Sequence, residues 1–129
     1  MVQITGKYKL QKCENASEFT NAIGVPAHAD KLSDPGLEVN VTLDGNVYIF
    51  DYGFTRFRVM LDEEWTEPLI AYPVTLTNTG KLDGNTLTVT TTADDGRYGT
   101  RVYDFTPKGF VQTLTVMNVT AKRHFARVN

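Results

Sequence analysis

The chain has 129 residues, of which 41% are hydrophobic and 22% are charged, and its formal net charge is −2. This length supports one hydrophobic core, so we expect a single domain over residues 1–129, and the slightly acidic balance argues against a nucleic-acid partner, which requires a basic surface. One cysteine, no apolar run long enough to cross a bilayer and no basic-then-apolar N-terminal stretch indicate a soluble, cytoplasmic monomer.

The N-terminal part combines one strand with short helices. Residues 7–12 alternate between polar and apolar, with Tyr8 and Leu10 on one face, which predicts a half-buried strand. Apolar residues around Phe19 then recur at helical spacing, which predicts a short amphipathic helix. Residues 25–32 are predicted to form a second short helix, because Pro26 would stand in its first turn, where proline is favoured. Together the two predicted helices cover about residues 15–33, and Asp34-Pro35-Gly36 ends the second one, because proline disfavours helix in the residue before it.

From Leu37 onward apolar residues recur at every second position, which is typical of β-strands. One predicted face comprises Leu37, Val39, Val41 and Leu43. The hairpin signal Asp44-Gly45 follows, and the next strand carries an aromatic face made of Tyr48, Phe50, Tyr52 and Phe54. Further turns are predicted at Asp83-Gly84, Asp94-Asp95-Gly96, Pro107-Lys108-Gly109 and Asn118. Many short strands at even spacing predict an all-β sandwich or barrel.

The sequence contains no familiar catalytic or metal-binding motif. The two histidines, His28 and His124, are more simply interpreted as surface residues than as ligands. Cys13 is interpreted as a small apolar filler at the end of the first strand. The acidic run Asp62-Glu63-Glu64 is interpreted as the solvated tip of a hairpin. We therefore expect no enzyme activity, no metal and no cofactor.

Polar residues also occur on strand faces that are otherwise apolar. Arg123 shares its face with Phe125, Arg101 with Tyr103 and Phe105, and Gln112 with Leu114 and Val116. One interpretation is that these arginines face solvent and the alternation is accidental. The other is a barrel with a partly wet interior that holds an anion, because an uncompensated arginine in a solid core would be strongly destabilising. A carboxylate suits a guanidinium, which stays charged and donates two parallel hydrogen bonds.

These motifs resemble those of the intracellular lipid-binding proteins, the fatty-acid-binding and retinoid-binding group. The order of one strand, two short helices and a long meander is similar over the whole chain. The matching segments are Gly6-Lys7-Tyr8-Lys9-Leu10, Glu14-Asn15, Phe19, Gly24-Val25, Lys31, Asp44-Gly45, Phe54 and Thr120-Ala121-Lys122-Arg123-His124-Phe125. The resemblance implies a ten-stranded antiparallel up-and-down β-barrel of the lipocalin-like (calycin) type, capped by a helix-turn-helix lid.

The resemblance also implies a ligand site. In this family two arginines and a tyrosine from the last strands usually meet the ligand carboxylate. Arg123 keeps the final arginine, Phe125 replaces the tyrosine, and Tyr103 stands where the other arginine is expected, with Arg101 two residues earlier as a substitute. The implied ligand-binding residues are Arg123, Phe125, Tyr103, Arg101, Gln112, Tyr48, Phe50, Tyr52 and Phe54.

The function that the resemblance implies is that of a non-enzymatic, intracellular carrier. It would bind long-chain fatty acids or similar amphipathic lipids in the barrel and make transient contact with membranes. Two alternatives remain open. One is a retinoid or bile-acid-like ligand, whose rings the aromatic face would suit. The other is a membrane-docking structural protein of the same fold, which the negative net charge disfavours.

Overall fold

The computed structural model describes residues 3–22, 36–53, 56–68 and 75–128. Within these ranges the chain forms one helix and ten strands. In chain order they are β1 Gly6–Glu14, α1 Ala16–Ala22, β2 Glu38–Asp44, β3 Val47–Asp51, β4 Arg56–Met60, β5 Glu64–Pro68, β6 Thr75–Asp83, β7 Thr86–Ala93, β8 Tyr98–Thr106, β9 Gly109–Val116 and β10 Val119–Arg127. In the described ranges, no helix is long and apolar enough to cross a membrane.

The predicted strands and turns are present where the sequence alternates. Gly45 and Gly84 lie in hairpin turns with φ values of 63° and 60°, a left-handed conformation that glycine adopts without steric cost. On β2, Val39 and Val41 are buried as predicted. Leu43 was expected on the same buried face, but it is 47% exposed, because it stands at the rim of the sheet beside the β2–β3 turn.

The ten strands form one antiparallel sheet in the order β4-β3-β2-β1-β10-β9-β8-β7-β6-β5. Each strand pairs with its neighbours in sequence and β1 pairs with β10, whereas β4 and β5 lie at the two edges. A parallel bridge between Leu61, just after β4, and Gly80 on β6 joins the two sides of the gap between these edges, and the amide of Asp62 donates to the carbonyl of Gly80 at 2.9 Å. The sheet is therefore a nearly closed barrel, which confirms the predicted up-and-down fold.

The turn at Asp62 differs from its prediction. The sequence predicted a hairpin tip at Asp62-Glu63-Glu64, but β4 and β5 on either side of the turn are not partners in the sheet order. Asp62 has a positive φ of 59°, and its amide is used by β6 instead. The turn thus carries the chain across the gap in the barrel rather than closing a hairpin.

Helix α1 covers one end of the barrel, which we call the helix end. Asn15 precedes the helix, and its side-chain amide donates to the carbonyl of Thr120 at 2.9 Å. Phe19 is buried against Leu114 and Ala121, which lie on β9 and β10. The first predicted helix is thus confirmed, while the predicted second helix lies outside the described residues, as does Phe54.

The opposite end of the barrel, which we call the far end, is filled with aromatic rings. Phe110 stacks on Phe125 with ring centroids 4.6 Å apart and meets Tyr8 edge-on at 4.8 Å. Phe50 lies 4.8 Å from Tyr103 by the same measure. Such close contacts among rings exclude water, so the far end is a conventional packed core.

A partly buried contact between Arg127 and Tyr8 links β10 to β1 at this far end. The guanidinium of Arg127 donates to the Tyr8 hydroxyl at 2.7 Å and lies over the Tyr8 ring, 4.8 Å from its centroid. The same hydroxyl donates to the carbonyl of Ile4 at 2.6 Å, and Arg127 also reaches the carbonyl of Thr5 at 3.1 Å. The segment before β1 is therefore held against β10.

Candidate functional site

Arg123 points into the barrel. On β10 the buried residues are Ala121, Arg123 and Phe125, while Lys122 between them is exposed. Only 5% of the Arg123 surface is accessible. The interpretation that this arginine faces solvent is therefore wrong, and its charge is located among interior side chains.

Three side chains meet around this guanidinium, and we call them the Arg123 cluster: Arg123, Gln112 and Tyr52. Gln112 stands directly opposite Arg123 on β9, and Nη1 of Arg123 donates to its Oε1 at 2.9 Å. The Tyr52 ring centroid lies 5.7 Å from the guanidinium carbon, and the Tyr52 hydroxyl is hydrogen-bonded to Arg123. The cluster offers an oriented cation, an amide and a phenol to a group that arrives from the barrel interior.

The environment of Tyr52 favours its neutral form. Removal of the hydroxyl from water raises the pKa of Tyr52 to about 12, although the positive charges of Arg123 and Arg101 oppose this rise. The phenol is therefore protonated at neutral pH and is able to donate a hydrogen bond. Because both arginines act on it, Tyr52 lies within electrostatic reach of each.

Four of the predicted ligand-binding aromatics belong to the packed core. Tyr103 stands opposite Gln112 on β8 and contacts Phe50, and Phe125 stacks on Phe110, with its ring centroid 5.1 Å from the guanidinium carbon of Arg123. Tyr48 is buried two residues nearer the far end than Phe50. Tyr103 is thus level with the Arg123 cluster along the strands, and Phe125 lies one inward position nearer the far end than Arg123.

Arg101 is not part of the Arg123 cluster. It belongs to a second group of inward-facing polar side chains, the Arg101 cluster: Glu67 on β5, Asn78 on β6, Thr91 on β7 and Arg101 on β8. Asn78 is fully buried, donates to Glu67 at 2.9 Å and accepts from Thr91 at 2.5 Å. The guanidinium of Arg101 lies 3.5 Å from both the Glu67 carboxylate and the Asn78 carbonyl oxygen. Arg101 is thus paired with an acid in this structure, and its substitution for the second headgroup arginine stays a prediction.

Sequence reasoning missed Glu67, Asn78 and Thr91. Each stands at an inward position of a strand, as Arg101 does, so the same signal of a polar residue at an apolar register was present. Thr91 follows the buried pair Leu87 and Val89 at the same spacing. Threonine is common on both faces of strands, however, and this hid the pattern.

Cys13 also lies close to the Arg123 cluster. An irregularity in the pairing of β1 with β10 between Leu10 and Lys12 brings Cys13 directly opposite Arg123. Burial raises the pKa of the Cys13 thiol, although the positive charge of Arg123 opposes the shift. The thiol is therefore protonated at neutral pH, in agreement with its interpretation as an apolar filler.

Comparison with known proteins gives a consistent group of relatives. No model of a known protein family matches the chain. A fatty acid-binding protein of Tyrophagus putrescentiae is 31% identical over 134 aligned positions, which cover 98% of this chain and 99% of the relative. The solved fatty acid-binding protein from brain tissue of Drosophila melanogaster is 30% identical, with a TM-score of 0.78, covering 93% of this chain and 95% of that one. The Schistosoma mansoni fatty acid binding protein, solved with arachidonic acid, is 22% identical with a TM-score of 0.80 and covers 97% and 96% of the two chains, so it shows the fold.

Proposed function

This chain belongs to the fatty acid-binding protein family, and on that premise we propose that it is a carrier of long-chain fatty acids or similar amphipathic lipids. The lipid is held inside the barrel and is released chemically unchanged. No catalytic step is part of this function. We further propose that the whole chain is one lipid-binding domain, which acts as a cytoplasmic monomer and touches membranes transiently.

The observation that carries the proposal is the buried guanidinium of Arg123. An arginine keeps its charge when buried, so an anionic group is its natural partner in the low-dielectric interior. Gln112 orients the guanidinium through the hydrogen bond from Nη1 to its Oε1, and a carboxylate suits a guanidinium because its two oxygens match the geometry of the N–H donors. A fatty acid supplies that carboxylate together with an apolar tail.

The tail is directed toward the helix end. The far end is occupied by packed aromatic rings, so the acyl chain has no room below the Arg123 cluster. Above it, the inward positions next to the cluster are smaller: Leu114 on β9 and Ala121 on β10. Burial contributes about 0.8 kcal/mol per methylene, so a long acyl tail supplies most of the affinity.

Tyr52 supplies the hydroxyl that Phe125 lacks. The relevant donor in the family comes from the last strand, where this chain has phenylalanine. The Tyr52 phenol reaches the same guanidinium from β3 and is neutral at physiological pH. We propose that it donates to the bound carboxylate beside Arg123.

Mass spectrometry of lipids extracted from the purified protein tests the proposed function. The expected result is a set of long-chain acids in amounts comparable to the protein. Recovery of a retinoid or a bile-acid-like compound instead would support the alternative ligand class. If the protein carries no lipid and takes up none when incubated with octadecanoic acid, the carrier proposal is wrong.

A further inference from the structure

The Arg101 cluster contains two short hydrogen bonds and two longer contacts. Their lengths indicate which side chain of the cluster is able to donate to a ligand as well. Asn78 is fixed by its short bonds to Glu67 and Thr91, at 2.9 and 2.5 Å. Both contacts of Arg101 are 3.5 Å long, at the outer limit of a hydrogen bond. Asn78 and Glu67 are therefore held in place by one another, while Arg101 keeps donors for a further partner.

The charges of the cluster select the kind of partner. Glu67 and Arg101 have opposite charges and face each other at the inner wall, with side chains 26% and 19% exposed. A second carboxylate placed here would be attracted by Arg101 but repelled by Glu67. A hydroxyl group fits both, because it accepts from a guanidinium and donates to a carboxylate at the same time.

We propose that the Arg101 cluster is a second polar subsite, which recognises a hydroxyl group on the acyl chain of a lipid whose carboxylate is held at Arg123. The preferred ligands are then hydroxylated long-chain fatty acids rather than plain ones. This proposal rests on the carrier function proposed above and specifies its ligand class.

The strand register gives the distance between the Arg101 cluster and the Arg123 cluster, and this distance determines where on the acyl chain the hydroxyl should be. Arg101 stands opposite Leu114, and Leu114 stands opposite Ala121, two residues before Arg123 on β10. Arg101 is therefore two strands and one inward position away from Arg123, nearer the helix end. With strands about 4.8 Å apart and a rise of about 3.3 Å per residue, the two Cα atoms are separated by roughly 12 Å. The hydroxyl accordingly belongs in the middle of the acyl chain and not beside the carboxylate.

Calorimetric binding of three ligands of equal chain length tests the subsite. They are octadecanoic acid, hydroxyoctadecanoic acids with one mid-chain hydroxyl, and the diacid 10-carboxyoctadecanoic acid, whose second carboxyl group is also in mid-chain. We expect the best of the hydroxy acids to bind about three- to tenfold more tightly than the plain acid, the range of one net hydrogen bond. Arg101→Met should abolish this preference. The control Arg58→Met removes an exposed arginine from the outer face of β4 and should preserve it.

Glu67→Gln gives a second, charge-based readout with almost no change of shape. It leaves the charge of Arg101 uncompensated, so the diacid should gain about tenfold relative to the hydroxy acid. Circular dichroism of each variant checks that the barrel is folded. Equal binding of the plain and hydroxy acids to the wild-type protein would overturn the subsite alone, as would a preference that survives Arg101→Met. A wild-type protein that binds none of the three ligands would overturn the carrier function and the subsite with it.

Discussion

The hydroxyl of Tyr52 and the guanidinium of Arg123 are hydrogen-bonded to each other although β1 and β2 separate their strands in the sheet. Tyr52 directly follows β3, whereas Arg123 lies on β10. The contact therefore spans the interior and does not follow the wall. The hydrogen bond thus fixes the orientation of both side chains inside the barrel.

Replacing Arg123 by alanine should weaken fatty-acid binding by about 1–3 kcal/mol, the range for a hydrogen bond to a charged group. The loss arises because the ligand carboxylate would then be buried without its cation. Calorimetry with octadecanoic acid on the wild-type and Arg123→Ala proteins measures it.

The control for Arg123 is a fatty alcohol of equal length, which keeps the tail and lacks the charge. Its affinity should change much less on Arg123→Ala. If the acid and the alcohol lose affinity equally, Arg123 supports the barrel and not the headgroup. If neither ligand loses affinity, the headgroup is bound elsewhere.

Tyr52 should make the folded protein less stable as the pH rises from about 10 to about 12. The pKa of Tyr52 is raised from 10.0 to about 12 in the folded state. Below pH 10 the phenol is protonated in both states, but within this window the unfolded chain ionises first and is favoured. The contribution that is lost is about 2–3 kcal/mol. Urea unfolding near pH 9 and near pH 11 should therefore show a smaller loss of stability for Tyr52→Phe than for the wild type, because the other tyrosines titrate in both proteins.

Removing the Tyr8 hydroxyl should destabilise the barrel, because the carbonyl of Ile4 and the guanidinium of Arg127 both lose a partner. We expect Tyr8→Phe to lower the free energy of unfolding by about 1–3 kcal/mol. Tyr98, which is 56% exposed, provides the matched control. Tyr98→Phe should change stability by less than about 0.5 kcal/mol in the same urea titration. Equal effects of the two substitutions would show that the Arg127–Tyr8 contact contributes nothing specific.

Gly80 should not tolerate a side chain, because it lies where β6 meets the end of β4. An added Cβ would lie 2.9 Å from both the carbonyl oxygen of Met60 and a methyl carbon of Val59. Gly80→Ala should therefore push β4 away from β6 and reduce stability by about 1–3 kcal/mol. Thr79→Ala, at the exposed neighbouring position of β6, is the control and should have little effect. Wild-type stability of Gly80→Ala would mean that the bridge to Leu61 does not help to close the barrel.

The sequence pattern predicted the wall of the barrel better than its interior contacts. Alternation depends on local physics, so Val39 and Val41 on β2 were assigned to the correct face, and Arg123 was placed inward because Phe125 shares its face. Leu43 departs from the pattern only because the strand reaches the rim.

Contacts between strands that are distant in the chain could not be read from local patterns. The pairing of Arg101 with Glu67 requires the register of four strands, and the contact of Tyr52 with Arg123 requires the barrel to close. The same holds for the gap between β4 and β5. A run of acidic residues after Met60 looks like a hairpin turn whether or not the strands on either side of it pair.

The pairing of β1 with β10 also fixes an order of events during synthesis. The first strand and α1 leave the ribosome well before their partners, which are Leu114 on β9 and the residues of β10. Closing so long a loop is slow because its entropy cost precedes any gain from contacts. Until β9 and β10 have been synthesised, β1 and Phe19 can only pair with nearby strands or remain solvated. The growing barrel is thus an open sheet whose apolar inner face is exposed to water until β10 pairs with β1.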